Sequence, residues 1–137
     1  MTHKFLEHTA DVKIHSEGST LKSAFASSAI ALRQIILDFE KIKINSAIKK
    51  NISVSGKDES SLLYNFLEEF LYLLDAEDFI LSKIEKIEIK NGKLNAEIIG
   101  DKFSKYKINN KVKAITYNEM RIIKIKNKYI IELVVDV

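Results

Sequence analysis

The chain has 137 residues, of which 22 are Lys or Arg and 19 are Asp or Glu, so its formal net charge is +3. This length suits a single domain spanning residues 1–137, and the absence of Cys excludes disulfides, thiolate metal sites and cysteine catalysis. Because no apolar run has the length of a membrane span or a signal peptide, we expect a soluble, cytoplasmic protein that does not contact membranes.

The first predicted elements are a short strand and a helix. Val12 and Ile14 alternate with polar residues, which is the period of a strand with one buried side. Residues 20–36 then carry apolar side chains at three- and four-residue spacing, the pattern of a helix with one buried face. Ser19 stands before this stretch as the candidate N-cap.

The rest of the chain predicts further strands around a second helix. Asp58 and Glu59 stand before a helix over 60–75, where acidic groups satisfy free amides and the helix dipole, and apolar residues recur along it every three or four positions. Asn91-Gly92 lies between two alternating runs and predicts a β-hairpin. Other apolar alternations predict strands at 112–117, 119–125 and 129–136. This order of elements indicates an α+β fold, with two amphipathic helices packed on a largely antiparallel sheet system.

Two acidic positions stand at opposite ends of the sequence. Asp11 closes the run 7–11 (EHTAD), and Asp136 falls on the same side of its predicted strand as Val134, which predicts a buried carboxylate in need of a cation. A terminal carboxylate expected at Val137 would add a further oxygen donor. Since hard cations such as Ca²⁺ and Mg²⁺ take several oxygen ligands, distant residues would have to converge on Asp11. The alternative interpretations are a polar loop and a frayed acidic end.

Lys113 is the third candidate. It alternates onto the side of Ile115 and Tyr117 in the predicted strand 112–117. Either its stem lies along the sheet while the ammonium reaches water, or it places a cation beside the carboxylates or against a partner. The sequence has no Gly-rich phosphate loop, no G-x-S-x-G elbow and no helical zinc-site spacing of His residues, so independent enzymatic chemistry is not indicated.

Three segments together resemble the archease family. They are 5–12 (FLEHTADV), 112–118 (VKAITYN) and 135–137 (VDV). The helices and strands between them also follow a similar order, so the resemblance spans essentially the whole chain. It departs from the family at Asp101, where members often have Glu, and at Asn118, where a His is common.

The resemblance implies an activator rather than an enzyme. Archeases bind a divalent cation, calcium in particular, and activate the RtcB-type tRNA-splicing RNA ligase. They promote the loading of guanylate onto the ligase, which then turns over repeatedly. The metal ligands carry over onto Asp11, Asp136 and Val137, and the residues that act on the partner carry over onto Lys113 and His8. No catalytic residue is implied in the chain itself, and RNA would be reached only through the ligase.

Two other functions stay open from the residues alone. One is a metal-dependent hydrolase that holds a catalytic cation with Asp11 and Asp136, and turnover by the isolated protein would favour it. The other is an RNA-binding module or chaperone, which salt-sensitive RNA affinity without the ligase would favour. Against RNA binding, the predicted strands lack the exposed aromatic residues of a stacking platform, and only Arg33 and Arg121 among the basic residues are Arg.

Overall fold

The computed structural model describes residues 2–7 and 11–137. The elements, in chain order, are β1 (Thr2–Glu7), β2 (Asp11–Gly18), α1 (Leu21–Ile36), β3 (Ile48–Ser55), α2 (Glu59–Glu77), β4 (Phe79–Lys90), β5 (Lys93–Lys102), a 3-10 helix (Phe103–Tyr106), β6 (Ala114–Ile115), β7 (Arg121–Ile125) and β8 (Lys128–Asp136). The helices predicted at 20–36 and 60–75 are confirmed. Among the described residues, no helix is long and apolar enough to cross a membrane.

The strands form two antiparallel sheets. The first has the order β1-β2-β8-β6, and β7 also pairs with β8. The second has the order β3-β5-β4. Strands β6 and β7 pair with successive parts of β8, at Val135–Asp136 and at Lys128–Glu132. The prediction of an α+β fold with two helices on a largely antiparallel sheet system is confirmed.

Both helices begin at side-chain caps. Thr20, and not the predicted Ser19, is the N-cap of α1, and its Oγ1 accepts a hydrogen bond of 3.1 Å from the Ser23 N–H. Asp58 caps α2 as predicted, with its Oδ1 accepting a bond of 2.8 Å from the Ser61 N–H. Such caps satisfy amides that have no partner within the helix, so they fix where each helix starts.

The core lies between the helices and the inner faces of the two sheets. Phe25 of α1 and Phe66 of α2 are both fully buried, with ring centroids 5.9 Å apart. The inner face of the first sheet adds Ile14, Leu133 and Val135, which are also fully buried. Burying one such side chain stabilises a fold by about 1.5–3 kcal/mol, so this contact region anchors β2 and β8 in place.

The structure differs from the sequence prediction at two strands, one of which was missed and one of which was predicted too long. A strand at Thr2–Glu7 precedes β2 and pairs with it, whereas the sequence predicted only one strand before α1. In the predicted strand 112–117 only Ala114–Ile115 is extended in the sheet. Its buried residues, Val112 and Ile115, are three positions apart, so the two-residue alternation is not kept there. The hairpin at Asn91-Gly92 is confirmed, because both residues have the positive φ of a type I′ turn.

Candidate metal and partner site at the ends of β2 and β8

Asp11 and Asp136 lie side by side, although they come from opposite ends of the sequence. Asp11 begins β2, Asp136 ends β8, and the antiparallel register pairs the two directly. The Cα atoms of such a pair are about 4.5–5.5 Å apart, and the two side chains leave the sheet on the same face. The fold therefore juxtaposes two oxygen-donor groups where the two central strands of the first sheet begin and end.

Strand β6 lies along the other side of β8 and brings Lys113 to this place. Ala114 pairs with Asp136, and the N–H of Lys113 donates to the carbonyl oxygen of Asp136 at 2.8 Å. Thr116 adds a second tie, since its Oγ1 donates to the carbonyl oxygen of Val134 at 2.7 Å. These bonds hold the segment that carries Lys113 against the end of β8.

The side chains at this site differ in exposure. Asp136 and Lys113 are exposed, whereas Asp11 and Val137 are half-buried. The prediction that Asp136 is buried is wrong. Its neighbour on the same side, Val134, is fully buried, but Asp136 is the last residue of the strand. An exposed carboxylate keeps its hydration, so it meets no burial cost and can be reached by a cation or a partner from solvent.

The predicted strand face of Lys113 is also wrong. Ile115 is only 3% exposed while Lys113 is exposed, so the two side chains do not share one environment. Tyr117, which was predicted on the same side, is 53% exposed and stacks on Tyr64 of α2, with ring centroids 4.5 Å apart and an interplanar angle of 11°. The segment thus presents an ammonium and an aromatic ring to solvent, and exposed tyrosines are enriched at protein interfaces.

A network of charged side chains continues from Asp11 along the same face, and sequence reasoning missed it. His15 bridges two carboxylates: its Nδ1 lies 2.7 Å from Glu132 Oε2, and its Nε2 lies 2.8 Å from Glu17 Oε2. Lys13 lies 2.9 Å from Glu119 Oε1. The alternation of Lys13, His15 and Glu17 in β2 was the available signal, but their partners on β8 are fixed only by the register between the strands.

The network changes the acidity of its carboxyl groups. The hydrogen bond from His15 lowers the pKa of Glu132, and the nearby charges of Lys13 and Arg121 act in the same direction. The pKa of Glu17 is lowered by its hydrogen bonds to His15 and then to Lys128. Both carboxylates are therefore held in their charged form, and they are committed to this network rather than to a ligand.

The donor set fits a hard cation only in part. Within residues 2–7 and 11–137, no three His, Asp or Glu side chains converge as a metal-binding group. Asp11 and Asp136 offer carboxylate oxygens, which Ca²⁺ and Mg²⁺ prefer, and main-chain oxygens of Val137 are the next donors along the chain. His8, which the resemblance implicates, lies outside the described residues.

Asp101 is one of the two positions where the chain departs from the family pattern. It is fully buried, and its Oδ2 accepts a hydrogen bond of 2.7 Å from the Tyr106 hydroxyl, while its Oδ1 accepts one of 2.8 Å from the Lys102 N–H. The hydrogen bond from Tyr106 is the main cause that lowers the pKa of Asp101. These bonds tie the 3-10 helix to β5, which is a structural role.

Comparison with known proteins identifies the family. The model of the Archease protein family (MTH1598/TM1083) matches residues 3–137. A protein named archease from Pyrococcus furiosus is 41% identical over 137 residues, covering 96% of this chain and 95% of the relative. A protein named archease-like from Drosophila melanogaster is 35% identical over 128 residues, covering 90% and 81% of the two chains.

Solved structures agree with this assignment. The solution structure of Methanobacterium thermoautotrophicum protein 1598 superposes with a TM-score of 0.81 at 25% identity and covers 98% of both chains. A crystal structure from Thermotoga maritima, described as an archease and possible chaperone, has a TM-score of 0.61 at 17% identity, covers 98% of this chain and 96% of that one, and shows the shared fold. With the match to the family model, these similarities show that the chain belongs to the archease family.

Proposed function

We propose that this protein binds a divalent cation, calcium in particular, and activates an RtcB-type RNA ligase by promoting its guanylylation. The observation that carries the proposal is the direct pairing of Asp11 with Asp136 beside Lys113. Membership of the archease family supports it, and the relatives are named archease, not as enzymes.

The cation is argued from the charges at the strand ends. Like charges directly opposite each other in an antiparallel pair destabilise it, and Asp11 faces Asp136 in this way. A cation bound between the two carboxylates would remove that repulsion. The carboxylates at these strand ends are half-buried in Asp11 and exposed in Asp136. Such oxygen donors suit calcium, which accepts flexible coordination with water among its ligands. Bound there, the cation would supply positive charge that fixes the two strand ends.

Lys113 is the group proposed to act on the ligase. It is exposed, and its main-chain N–H is hydrogen-bonded to the carbonyl oxygen of Asp136, so its side chain projects into solvent from a backbone that is tied to β8. The adjacent Tyr117 ring, stacked on Tyr64, offers an exposed aromatic contact. Tyrosine is among the residues that most often dominate the energy of a protein interface. We propose that a ligase surface docks here and that Lys113 orients groups of the ligase around the nucleotide.

A time course of covalent guanylate on the ligase tests this function. The cognate ligase is incubated with GTP and Mn²⁺, with and without the protein, and the guanylylated fraction is followed together with multiple-turnover RNA ligation. We expect faster guanylylation and repeated turnover only when the protein is present, and no GTP hydrolysis by the protein alone. Equal rates with and without it would contradict the proposal, and GTP or RNA turnover by the isolated protein would favour a hydrolase.

A further inference from the structure

A cleft that is separate from the Asp11–Asp136 pair lies at the C-terminal part of α1. Its volume is about 560 Å³, and it is bounded by α1, by the segment 42–46 and by the middle of β4. Arg33, Lys43 and Lys83 bring three basic side chains to its wall, and the described residues that line it include no Asp or Glu. A concave surface of one charge concentrates counter-ions, so this cleft attracts anions.

Arg33 is held in the cleft with unused hydrogen-bond donors. Its Nη1 donates to the carbonyl oxygen of Ser82, and its Nη2 donates to Gln34 Oε1 at 3.3 Å. Its Nε is buried and has no acceptor among the residues that the structure describes. Burial lowers the pKa of Arg33, but a guanidinium keeps its proton in proteins. Arg33 is therefore a fixed, half-buried cation at the wall of the cleft, and its positive charge favours an anion there.

Two hydroxyl groups, of Ser82 and Ser46, also line the cleft. The Ser82 hydroxyl donates to the carbonyl oxygen of Ile44 at 3.0 Å and lies 3.3 Å from the Ser46 hydroxyl. The first of these bonds ties the segment 42–46 to β4, so the two walls keep a fixed spacing. Arginine, lysine and hydroxyl side chains are the groups that bind phosphate in protein–nucleic acid contacts.

One exposed aromatic residue, Phe39, follows α1 between Arg33 and the segment 42–46 of the cleft wall. Phe39 is 47% exposed and meets Phe5 edge to face, with ring centroids 4.9 Å apart. Phe5 in turn contacts His3, whose pKa is lowered by burial and by the nearby charge of Arg33. An aromatic ring next to a basic groove is the arrangement on which nucleobases stack in single-stranded nucleic acid complexes.

An ion pair links the chain just after α1, which borders the cleft, to the segment that leads to Lys113. After the turn at Ser19-Thr20, α1 runs back along β2 toward Asp11. Beyond its end, Asp38 forms an ion pair of 2.9 Å with Lys111, which is two residues before Lys113. α1 is therefore connected to the cleft through Arg33 and, through the residues that follow it, to the segment that carries Lys113.

We propose that this cleft binds the phosphate group of a nucleotide or of single-stranded RNA, with Arg33, Lys43 and Lys83 as the anion-binding groups. The inference requires no ligase, so it can fail or hold independently of the proposed function. It differs from the expectation that RNA is reached only through the ligase.

Binding by the isolated protein tests the site. Fluorescence anisotropy with a labelled single-stranded RNA and calorimetry with GMP are carried out at low salt on the wild type and on two double variants. Lys43→Gln with Lys83→Gln changes two exposed residues of the cleft and should weaken binding about tenfold, since exposed charge contacts are individually modest. Lys57→Gln with Lys90→Gln removes the same charge from exposed positions elsewhere and should leave binding within about twofold.

The two ligands distinguish the source of the phosphate. Affinity for RNA without affinity for GMP identifies the strand as the ligand, and the RNA affinity should then fall steeply with salt. Affinity for GMP identifies a mononucleotide phosphate as sufficient. Binding of neither ligand overturns the proposal, and so does an equal loss of affinity in the two double variants, because the attraction would then be a property of the net charge.

His3 provides a readout because it is close enough to Arg33 to sense its charge. A bound phosphate would offset the charge of Arg33, so the pKa of His3, followed by NMR, should rise when the preferred ligand saturates the protein. The rise should be lost in the Lys43→Gln, Lys83→Gln variant at the same ligand concentration. An unchanged pKa of His3 at saturation would place the ligand elsewhere and overturn the assignment.

Discussion

Asp11 and Asp136 face each other across β2 and β8 at the point where β6 joins the sheet. Two carboxylates on neighbouring strands repel each other, and the next pairs along β2 and β8 do not share this feature. Lys13 pairs with Val134, and His15 pairs with Glu132. The repulsion is therefore confined to the strand ends, where a cation or the charge of a partner can reach it.

Asp136→Asn separates the two effects of this pair. Without a cation, in a chelating buffer, the variant should melt at a higher temperature than the wild type, because the repulsion is gone. With calcium added, the wild type should gain stability by linkage and the variant should gain much less. Calorimetric titration should show calcium affinity reduced by at least about tenfold, the effect of losing roughly 1.4 kcal/mol of binding energy.

Asp75→Asn is the matched control, since Asp75 is an exposed Asp on α2 away from the site. It should leave both the calcium affinity and the melting temperature close to those of the wild type. Calcium affinity that is the same in the wild type and in Asp136→Asn would remove Asp136 from the proposed ligand set.

The helices and the hairpin could be predicted because their signals are local. The apolar spacing of α1, the cap at Asp58 and the turn at Asn91-Gly92 each depend on residues within a few positions of one another. β1 was missed because its residues, Thr2–Glu7, do not alternate clearly between apolar and polar. The strand predicted at 112–117 was longer than β6, because the two-residue pairing of β6 with β8 is decided by tertiary contacts and not by a period in the sequence.

The residues of the candidate site could be named from the sequence, but their arrangement in space could not. Asp11 and Asp136 stood out as acidic residues next to apolar runs, yet only the register between β2 and β8 places them opposite each other. The exposure of Asp136 could not be predicted, since it depends on where the strand ends. The cleft beside Arg33 gave no sequence signal, because α1, the segment 42–46 and β4 contribute to it separately.

His15 and Glu132 lie 2.7 Å apart in the charged network, and both side chains are largely buried. Glu132→Gln tests how much this contact stabilises the fold. Glu132 is held charged in the fold, and the side chain is only 15% exposed, so the loss of its ion pairs should cost roughly 1–2 kcal/mol at neutral pH. Urea unfolding of the variant and the wild type measures this difference. Glu88→Gln, at an exposed position on β4, is the control and should change little.

The pH dependence of this stability contribution follows from the direction in which the pKa of Glu132 is shifted. The folded-state pKa of Glu132 lies below its ordinary value of 4.5, so its contribution is present above that value and is lost as the pH falls through the lower, folded-state value. The difference in unfolding free energy between the wild type and Glu132→Gln should therefore shrink below about pH 4.5. A difference that stays constant down to about pH 3 would show that Glu132 does not act through its charge.

Gly100→Ala should destabilise the second sheet. Gly100 of β5 pairs with Leu81 of β4, and a Cβ at this position would clash with the carbonyl oxygen of Ile80 and press on the ring of Phe79. Relief requires a shift of the packed backbone, so we expect a cost of about 1–3 kcal/mol, measured as a lower urea midpoint. Asn95→Ala, at an exposed position of the same strand, should cost less than half as much. Equal urea midpoints for Gly100→Ala and the wild type would show that the Ile80 carbonyl group and the Phe79 ring can move away from the added methyl group without cost.

Lys113→Ala tests the proposed action on the ligase. The side chain of Lys113 is exposed, and only its main-chain N–H is bonded to Asp136; alanine keeps that N–H. The variant should therefore keep the melting temperature and the calcium affinity of the wild type within error, while losing most of the stimulation of guanylate loading. Lys113→Arg should restore little, because a planar guanidinium does not replace a compact ammonium at a site that needs a point charge.

Lys93→Ala is the control for Lys113→Ala, since Lys93 is also exposed but begins β5 in the second sheet. Guanylylated ligase is measured over time with the wild type, Lys113→Ala, Lys113→Arg and Lys93→Ala at equal concentrations. Lys93→Ala should stimulate like the wild type, because its charge lies away from the strand ends. If Lys113→Ala stimulates equally well, the side chain is a solvated surface residue, and the docking surface must be sought among other exposed groups such as Tyr117.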